Sequence, residues 1–196
     1  MSNVIDAMKI PKLSHVWKRE PHEHYCEPSW CSERLFAVER FAGPLLDPAC
    51  GFGTIVNAAR KAGIEASGSD LVNRGFPGVR VDDFLAQDWH PVASIVTNPP
   101  FKKSAEFAVH ACKLARKVAM IIPTTRLHAA SGWLNALPLR CVWLMTPRPS
   151  MPPGYTIAAG EKPGGGTIDF SWVIFERGYS GQPELRWLHR DGGKAQ

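Results

Sequence analysis

Leu45-Leu46-Asp47-Pro48-Ala49-Cys50-Gly51-Phe52-Gly53-Thr54 is the stretch whose reading decides the fold. Two leucines and an acid read as the end of a short buried strand, and the Gly-x-Gly after them turns the chain straight into a helix over residues 54–62. Gly63 closes that helix with a residue that tolerates left-handed backbone. Glycines at such a turn let a ligand lie close against the backbone at a sheet's switch point. The dinucleotide fingerprint G-x-G-x-x-G stops here at Gly53. An acid at the strand end repels a pyrophosphate and suits a ligand that carries an ammonium group.

Working outward, short apolar runs at 44–47, 64–70, 78–81, 93–98, 118–122 and 141–144 read as buried parallel strands. Helical stretches alternate with them. One starts at residue 29 or 32 and ends at 41 before Gly43-Pro44, and another spans 104–116 with Ser104 as its N-cap. Residues 168–176 form a last strand reached without an intervening helix, so it returns antiparallel. The expected fold is one doubly wound α/β sheet, mostly parallel, with a single antiparallel strand in its edge region. Residues 1–24 read as a mobile arm, 25–190 as the domain and 191–196 as a tail. The connection 147–167 holds five prolines and five glycines and leaves from the carboxyl end of a strand, so it is expected to overhang the ligand side at Phe101.

With 196 residues, 44% hydrophobic and 21% charged, the composition is that of one soluble globular domain and excludes wholesale disorder and collagen. No apolar run approaches the ~18 residues that cross a bilayer, and residues 1–10 lack a signal-like apolar stretch, so a cytoplasmic protein without a membrane partner is expected. Five scattered cysteines, an odd number, argue for reduced thiols. His22, His24, Cys26 and Cys31 follow no common zinc spacing, and no metal is expected. The formal charge of +5 is uneven: residues 1–101 carry 10 Lys+Arg against 12 Asp+Glu, whereas residues 102–196 carry 13 against 6. A basic half suits a polyanionic partner.

Ile95-Val96-Thr97-Asn98-Pro99-Pro100-Phe101 is the second informative segment. Its two prolines donate no N–H, so an Asn side-chain oxygen beside a fixed carbonyl makes a two-acceptor clamp for an amino group, with Phe101 as a flat surface beside it. Asp70 ends the second strand 23 residues after Asp47, close to the offset at which an acid meets ribose hydroxyls.

Together these segments resemble the class I S-adenosylmethionine-dependent methyltransferases that act on amino groups, particularly the short, phage-type N6-adenine DNA methyltransferases. Asp47-Pro48-Ala49-Cys50-Gly51-Phe52-Gly53-Thr54 is similar to their first cofactor motif and Asn98-Pro99-Pro100-Phe101 to their catalytic motif. Asp70, followed by Leu71, resembles the ribose-binding acid, Asp83-Phe84-Leu85 the adenine-binding segment, and Tyr25-Cys26-Glu27-Pro28 the motif covering the methionine end. The resemblance implies a Rossmann-like methyltransferase sheet and S-adenosylmethionine as cofactor. It also implies transfer to N6 of a flipped adenine, with N6–H bonded to the Asn98 side-chain oxygen and the Pro99 carbonyl and the base stacked on Phe101. Neither a metal nor a covalent intermediate is then required. Lys102, Lys103, Arg148, Tyr155 and Lys162 are the residues expected to hold the nucleotide and its flanking phosphates.

No segment resembles a target-recognition domain, so target choice falls to loops, a homodimer or a separate subunit. Asn-Pro-Pro-aromatic also occurs in enzymes that modify RNA bases or protein glutamine, and a catalytically silent cofactor- or nucleic-acid-binding module is the non-enzyme alternative. Trp133, Trp143, Trp172 and Trp187 read as core or sheet-face residues and Asp82 as a solvated neighbour of Asp83; His110 and His128 have no catalytic role.

Overall fold

Eight strands form one sheet: β1 (Leu45–Asp47), β2 (Ala66–Asp70), β3 (Arg80–Val81), β4 (Val92–Thr97), β5 (Ala115–Pro123), β6 (Leu139–Thr146), β7 (Phe170–Glu176) and β8 (Glu184–His189). The computed structural model describes residues 24–161 and 166–192, so all but the last residue of the expected arm lies outside the described residues. The strands lie in the order β3-β2-β1-β4-β5-β7-β6-β8. β3, β2, β1, β4 and β5 pair in parallel, as do β6 and β8, while β7 is antiparallel to both its neighbours. The fold class is therefore the expected one, with the antiparallel strand wedged between β5 and β6. The edge beyond them is β8, which the sequence did not announce, because only Leu188 of its six residues is buried. Trp187 is 58% exposed there, on the sheet edge and not in the core, whereas Trp143 and Trp172 are buried.

The period of two in the strands sorts the core into two layers. In β5, Ala119 and Ile121 face one side and Val118, Met120 and Ile122 the other. The first layer is covered by α1 (Ser29–Val38) and α2 (Thr54–Lys61), the second by α3 (Ser104–Leu114) and α4 (Ser131–Asn135). A fifth helix, α5 (Gly154–Ala158), sits within the long connection. Helix expectations are corrected at α1 and α3: α1 ends at Val38 and not at 41, with Glu39 already extended. α3 stops at Leu114 because Ala115 is already extended and opens β5, and Ser104 is the first helical residue, not the cap. Its hydroxyl donates to the Phe101 carbonyl at 2.9 Å.

Strand order reverses between β1 and β4, so the turn after β1 and the segment after β4 emerge side by side at the carboxyl edge. Away from that edge, buried Glu39 ties α1 to the sheet. It accepts from Lys117 Nζ at 2.7 Å and from Trp143 Nε1 at 2.9 Å, and both its oxygens accept from Arg140. Burial alone would raise its pKa, but the bonds from Lys117, Trp143 and Arg140 outweigh burial and hold the carboxyl below its ordinary value. Glu39→Ala leaves the Trp143 indole N–H without its acceptor, while Lys117 keeps the Arg40 carbonyl and Arg140 keeps Glu176, and should cost about 1–3 kcal/mol of stability at neutral pH. Because the folded pKa is depressed, that loss should shrink as urea unfolding is repeated at pH values falling through the carboxylate range.

Candidate active site

A cavity of about 390 Å³ opens at the carboxyl ends of β1, β2 and β4. The turn after β1 supplies one wall through Ala49, Cys50, Gly51 and Thr54. Gly51 has φ +51°, and a Cβ there would lie 2.6 Å from His24 Nε2, so the close approach excludes a side chain. Gly53, expected on the same wall, is not on it: with φ +81° it packs under the Phe76 ring, where a Cβ would overlap the aromatic carbons. Asp47 is 1% exposed and also off the cavity, with Oδ1 accepting the Ala49 N–H at 3.2 Å. Burial, with the Glu27 and Asp70 carboxylates nearby, raises its pKa well above the ordinary value. The acid expected to meet an ammonium group thus stands behind the turn and supports it.

Asp70 does line the cavity, and its carboxylate is fixed by the backbone. Oδ2 accepts the Gly51 N–H at 2.9 Å, Oδ1 accepts the Val72 N–H at 3.0 Å, and Arg74 Nε lies 3.7 Å from Oδ1. Carboxylate oxygens carry two acceptor sites each, so capacity remains for hydroxyl donors. Leu71, Asp83 and Phe84 continue the wall; Asp83 Oδ1 accepts the Leu85 N–H at 2.9 Å, and Phe84 is held by Phe107, Trp89 and His110. Asp82, expected to be only a solvated neighbour, also lines the cavity and pairs with Arg80.

Asn98 and Pro100 close the cavity on the β4 side, while Pro99 is buried away from it. Asn98 Nδ2 donates to the Tyr25 carbonyl and to Glu27 Oε2, both at 2.8 Å. With both amide hydrogens committed, Oδ1 is the atom left to accept from a ligand. Burial raises Glu27 to about 7 in spite of its bond from Asn98. Phe101 does not present the open platform expected of it: its ring stacks on Tyr25, with centroids 6.1 Å apart and planes at 9°, and packs on Phe170 at 5.7 Å. Lys102 and Lys103, exposed in the 3-10 turn Phe101–Lys103, line the mouth.

The sequence matches no protein-family model and no curated protein. Solved structures do match. The chain is similar to the M protein of the type I restriction enzyme EcoKI, with TM-score 0.60, 13% identity and coverage of 85% of this chain and 48% of that one. It is similar to magnesium protoporphyrin IX methyltransferase from Synechocystis PCC 6803 with bound S-adenosylmethionine, at TM-score 0.52 and 11% identity over 76% and 79% of the two chains. It is also similar to ribosomal protein L11 methylase from Lactobacillus delbrueckii subsp. bulgaricus, at TM-score 0.51 and 12% identity over 76% and 77%. The chain has the class I methyltransferase fold. At these identities the likeness speaks for the fold alone.

Within this methyltransferase fold, the remaining expected residues are placed as follows. Pro28 caps the start of α1 and lines a second, apolar hollow beside the cavity, together with Pro152 and Ile157. Arg148 makes a two-bond pair with Asp169 at 2.6 and 3.0 Å, and neither it nor Tyr155, exposed on α5, lines the cavity. Lys162 lies outside the described residues. The connection is pinned to residues 24–26 through residues 152–154: the Cys26 N–H donates to the Pro152 carbonyl, the Gly154 N–H to the His24 carbonyl, both at 2.9 Å, and Tyr25 bridges to Pro153.

Sequence reasoning missed His24 and Arg74 as wall residues. His24 lies edge-on to Phe52 at 4.9 Å and between Gly51 and Gly154, where a Cβ on either would collide with its ring. Burial first, then the charge of Arg74, lowers its pKa to about 4, so at neutral pH it is an uncharged imidazole. The glycine at 154 was visible in the sequence; that it makes room for a ring 130 residues earlier was not. Among the described residues no three His, Cys, Asp or Glu side chains are placed to hold a metal ion.

The raised pKa of Asp47 makes a stability prediction. The folded protein holds this proton more tightly than the unfolded chain, so ionisation costs stability as pH rises from about 4 through the folded pKa. Asp47→Asn keeps an oxygen for the Ala49 N–H and removes the titration. Its stability relative to the native protein should rise between pH 5 and pH 8 in urea unfolding; parallel curves would contradict the assignment.

Proposed function

We propose that the chain transfers a methyl group from S-adenosylmethionine to an exocyclic amino group, and that this group is N6 of adenine in DNA. The observation that carries the reading is the Asn98 amide, whose two hydrogens are spent on Tyr25 and Glu27 and whose oxygen is left to accept an amino N–H at the cavity wall. The cavity residues suit the cofactor. Gly51 lines the wall, Asp70 retains acceptor capacity for hydroxyls, and Leu71 and Phe84 offer apolar surface to a planar base.

When bound, S-adenosylmethionine supplies a methyl on a sulfonium, an electrophile that needs no further activation. The task left to the protein is orientation. An aromatic amino group is a weak nucleophile because its lone pair is delocalised into the ring. A bond from one of its hydrogens to Asn98 Oδ1 favours a pyramidal nitrogen with the lone pair directed at the methyl, so positioning and local dipoles do the work that a strong base would otherwise do. Lys102 and Lys103 at the mouth, and the basic second half of the chain, favour a polyanionic substrate.

The test is transfer of labelled methyl from S-adenosylmethionine to DNA, RNA and protein pools, followed by identification of the modified nucleoside or residue. Label in N6-methyladenine of DNA is the expected outcome; label confined to RNA or to glutamine would reassign the substrate, and absence of cofactor binding by calorimetry would reject the reading. Asn98→Ala should bind cofactor as the native protein does and lose about two orders of magnitude or more in transfer. Asp70→Ala should instead weaken cofactor binding, by roughly 1–3 kcal/mol.

A further inference from the structure

Tyr25-Cys26-Glu27-Pro28 resembles the part of such enzymes that covers the methionine end, and Tyr25 and Glu27 also bond to Asn98. Glu27 Oε2 and the Tyr25 carbonyl each stand 2.8 Å from Asn98 Nδ2. The Tyr25 carbonyl is itself fixed, since its residue stacks on Phe101, bridges to Pro153 and precedes the Cys26 N–H bonded to Pro152. We propose that Glu27 is a positioning residue for amino-group methylation, holding the Asn98 amide with Nδ2 turned inward so that Oδ1 faces the substrate. The proposal rests on the methyl-transfer reading above.

The physical argument concerns the flipped amide. An Asn side chain has nearly the same shape in its two orientations, and hydrogen bonds alone choose between them. Rotated by half a turn, Oδ1 would meet a carboxylate and a carbonyl, two acceptors with no hydrogen to give, while Nδ2 would face the incoming amino group as a second donor. An ionised Glu27 therefore excludes the unproductive orientation. A protonated Glu27 does not, because its O–H becomes a donor able to hold Oδ1. Glu27, which burial raises to about 7, passes between these states in an accessible range.

Asp47 at the end of β1 and Cys31 on α1 interact with Glu27, and the titratable or charged groups that share its cavity wall are His24, Cys26, Cys50, Asp70, Arg74, Asp82, Asp83, Lys102 and Lys103. Burial raises Cys31 far up and lowers His24 to about 4, so neither changes charge between pH 6 and pH 8. Asp47 is separated from Glu27 by carrying Asp47→Asn through the same measurements.

The experiment compares native protein, Glu27→Ala and Glu27→Gln in three readouts: cofactor affinity by calorimetry, kcat with saturating DNA from pH 6 to pH 8.5, and the Asn98 side-chain amide signals by NMR. Native kcat should fall as pH drops below about 7. Glu27→Ala should lose roughly ten- to a hundredfold in kcat with unchanged cofactor affinity. Glu27→Gln, whose NH2 can hold Oδ1 as the protonated acid does, should match the low-pH level of the native protein at every pH and have no limb near pH 7. The Asn98 amide signals should shift and exchange faster in Glu27→Ala, with or without substrate.

An unchanged kcat in Glu27→Ala, a cofactor affinity that falls in step with kcat, or unmoved Asn98 signals would overturn the proposal. If Glu27→Ala does not fold, the pH profile and amide signals of Glu27→Gln decide alone. Native protein that methylates nothing would overturn the functional reading and the role with it; amide signals that still follow Glu27 would then show that the fault lay in the reaction and not in the contact.

Discussion

The bond from the Gly51 N–H to the Asp70 carboxylate joins the end of β1 to the end of β2, and the site is organised around it. β1 and β2 are neighbouring parallel strands, so their carboxyl ends lie together, and each ends in an acid. Asp70, Asp47 and Glu27 consequently share one poorly solvated region, where three full negative charges cannot coexist cheaply. Each is accommodated differently. Asp70 accepts two backbone N–H groups and has Arg74 beside it, Asp47 is driven toward its neutral form behind the turn, and Glu27 takes an amide N–H. Asp70 and Glu27 line the cavity, and Asp70 does so with acceptor capacity to spare.

Residues 24–28 work as a strap across this arrangement. They touch the glycine turn through His24, the segment after β4 through Tyr25 and Glu27, and the long connection through His24 and Cys26. Three segments far apart in the chain thereby become one wall. That accounts for the first half of the connection being packed, with 151–154 buried, where composition alone suggested a free loop.

What was legible in the sequence was local or periodic. The turn at 47–54, the strand into Asn98 and the alternation of strand and helix can be read because period, turn chemistry and the switch-point rule act over a few residues. β8 escaped because a mostly exposed edge strand of alternating polar and apolar residues lacks the apolar run that marks the inner strands. Arg148 looked like a free cation until Asp169, across the connection, was seen to hold it, and Phe101 looked like a platform until Tyr25 was found stacked on it. In each case the missing information was which distant residue arrives at that place. Asp47 failed for a different reason: its position at the strand end was right, but a three-residue strand in the middle of a sheet leaves its last side chain no path to the surface.

β5 and β6 are consecutive in the chain but do not pair; Phe170–Glu176 lies between them, bonded to both. A chain emerging from its amino end therefore holds two open strand edges until these residues have been made, and the segment that fills the gap includes Trp172, among the most deeply buried side chains of the protein. Folding by successive addition of strands is closed to it: this part of the sheet has to assemble around a strand that follows both of its neighbours in the chain. Such non-local pairing is slow, and exposed edges waiting for a partner are where chains stick to one another. The order in which residues leave the ribosome, and not the strength of any single contact, then governs how long this protein stays vulnerable.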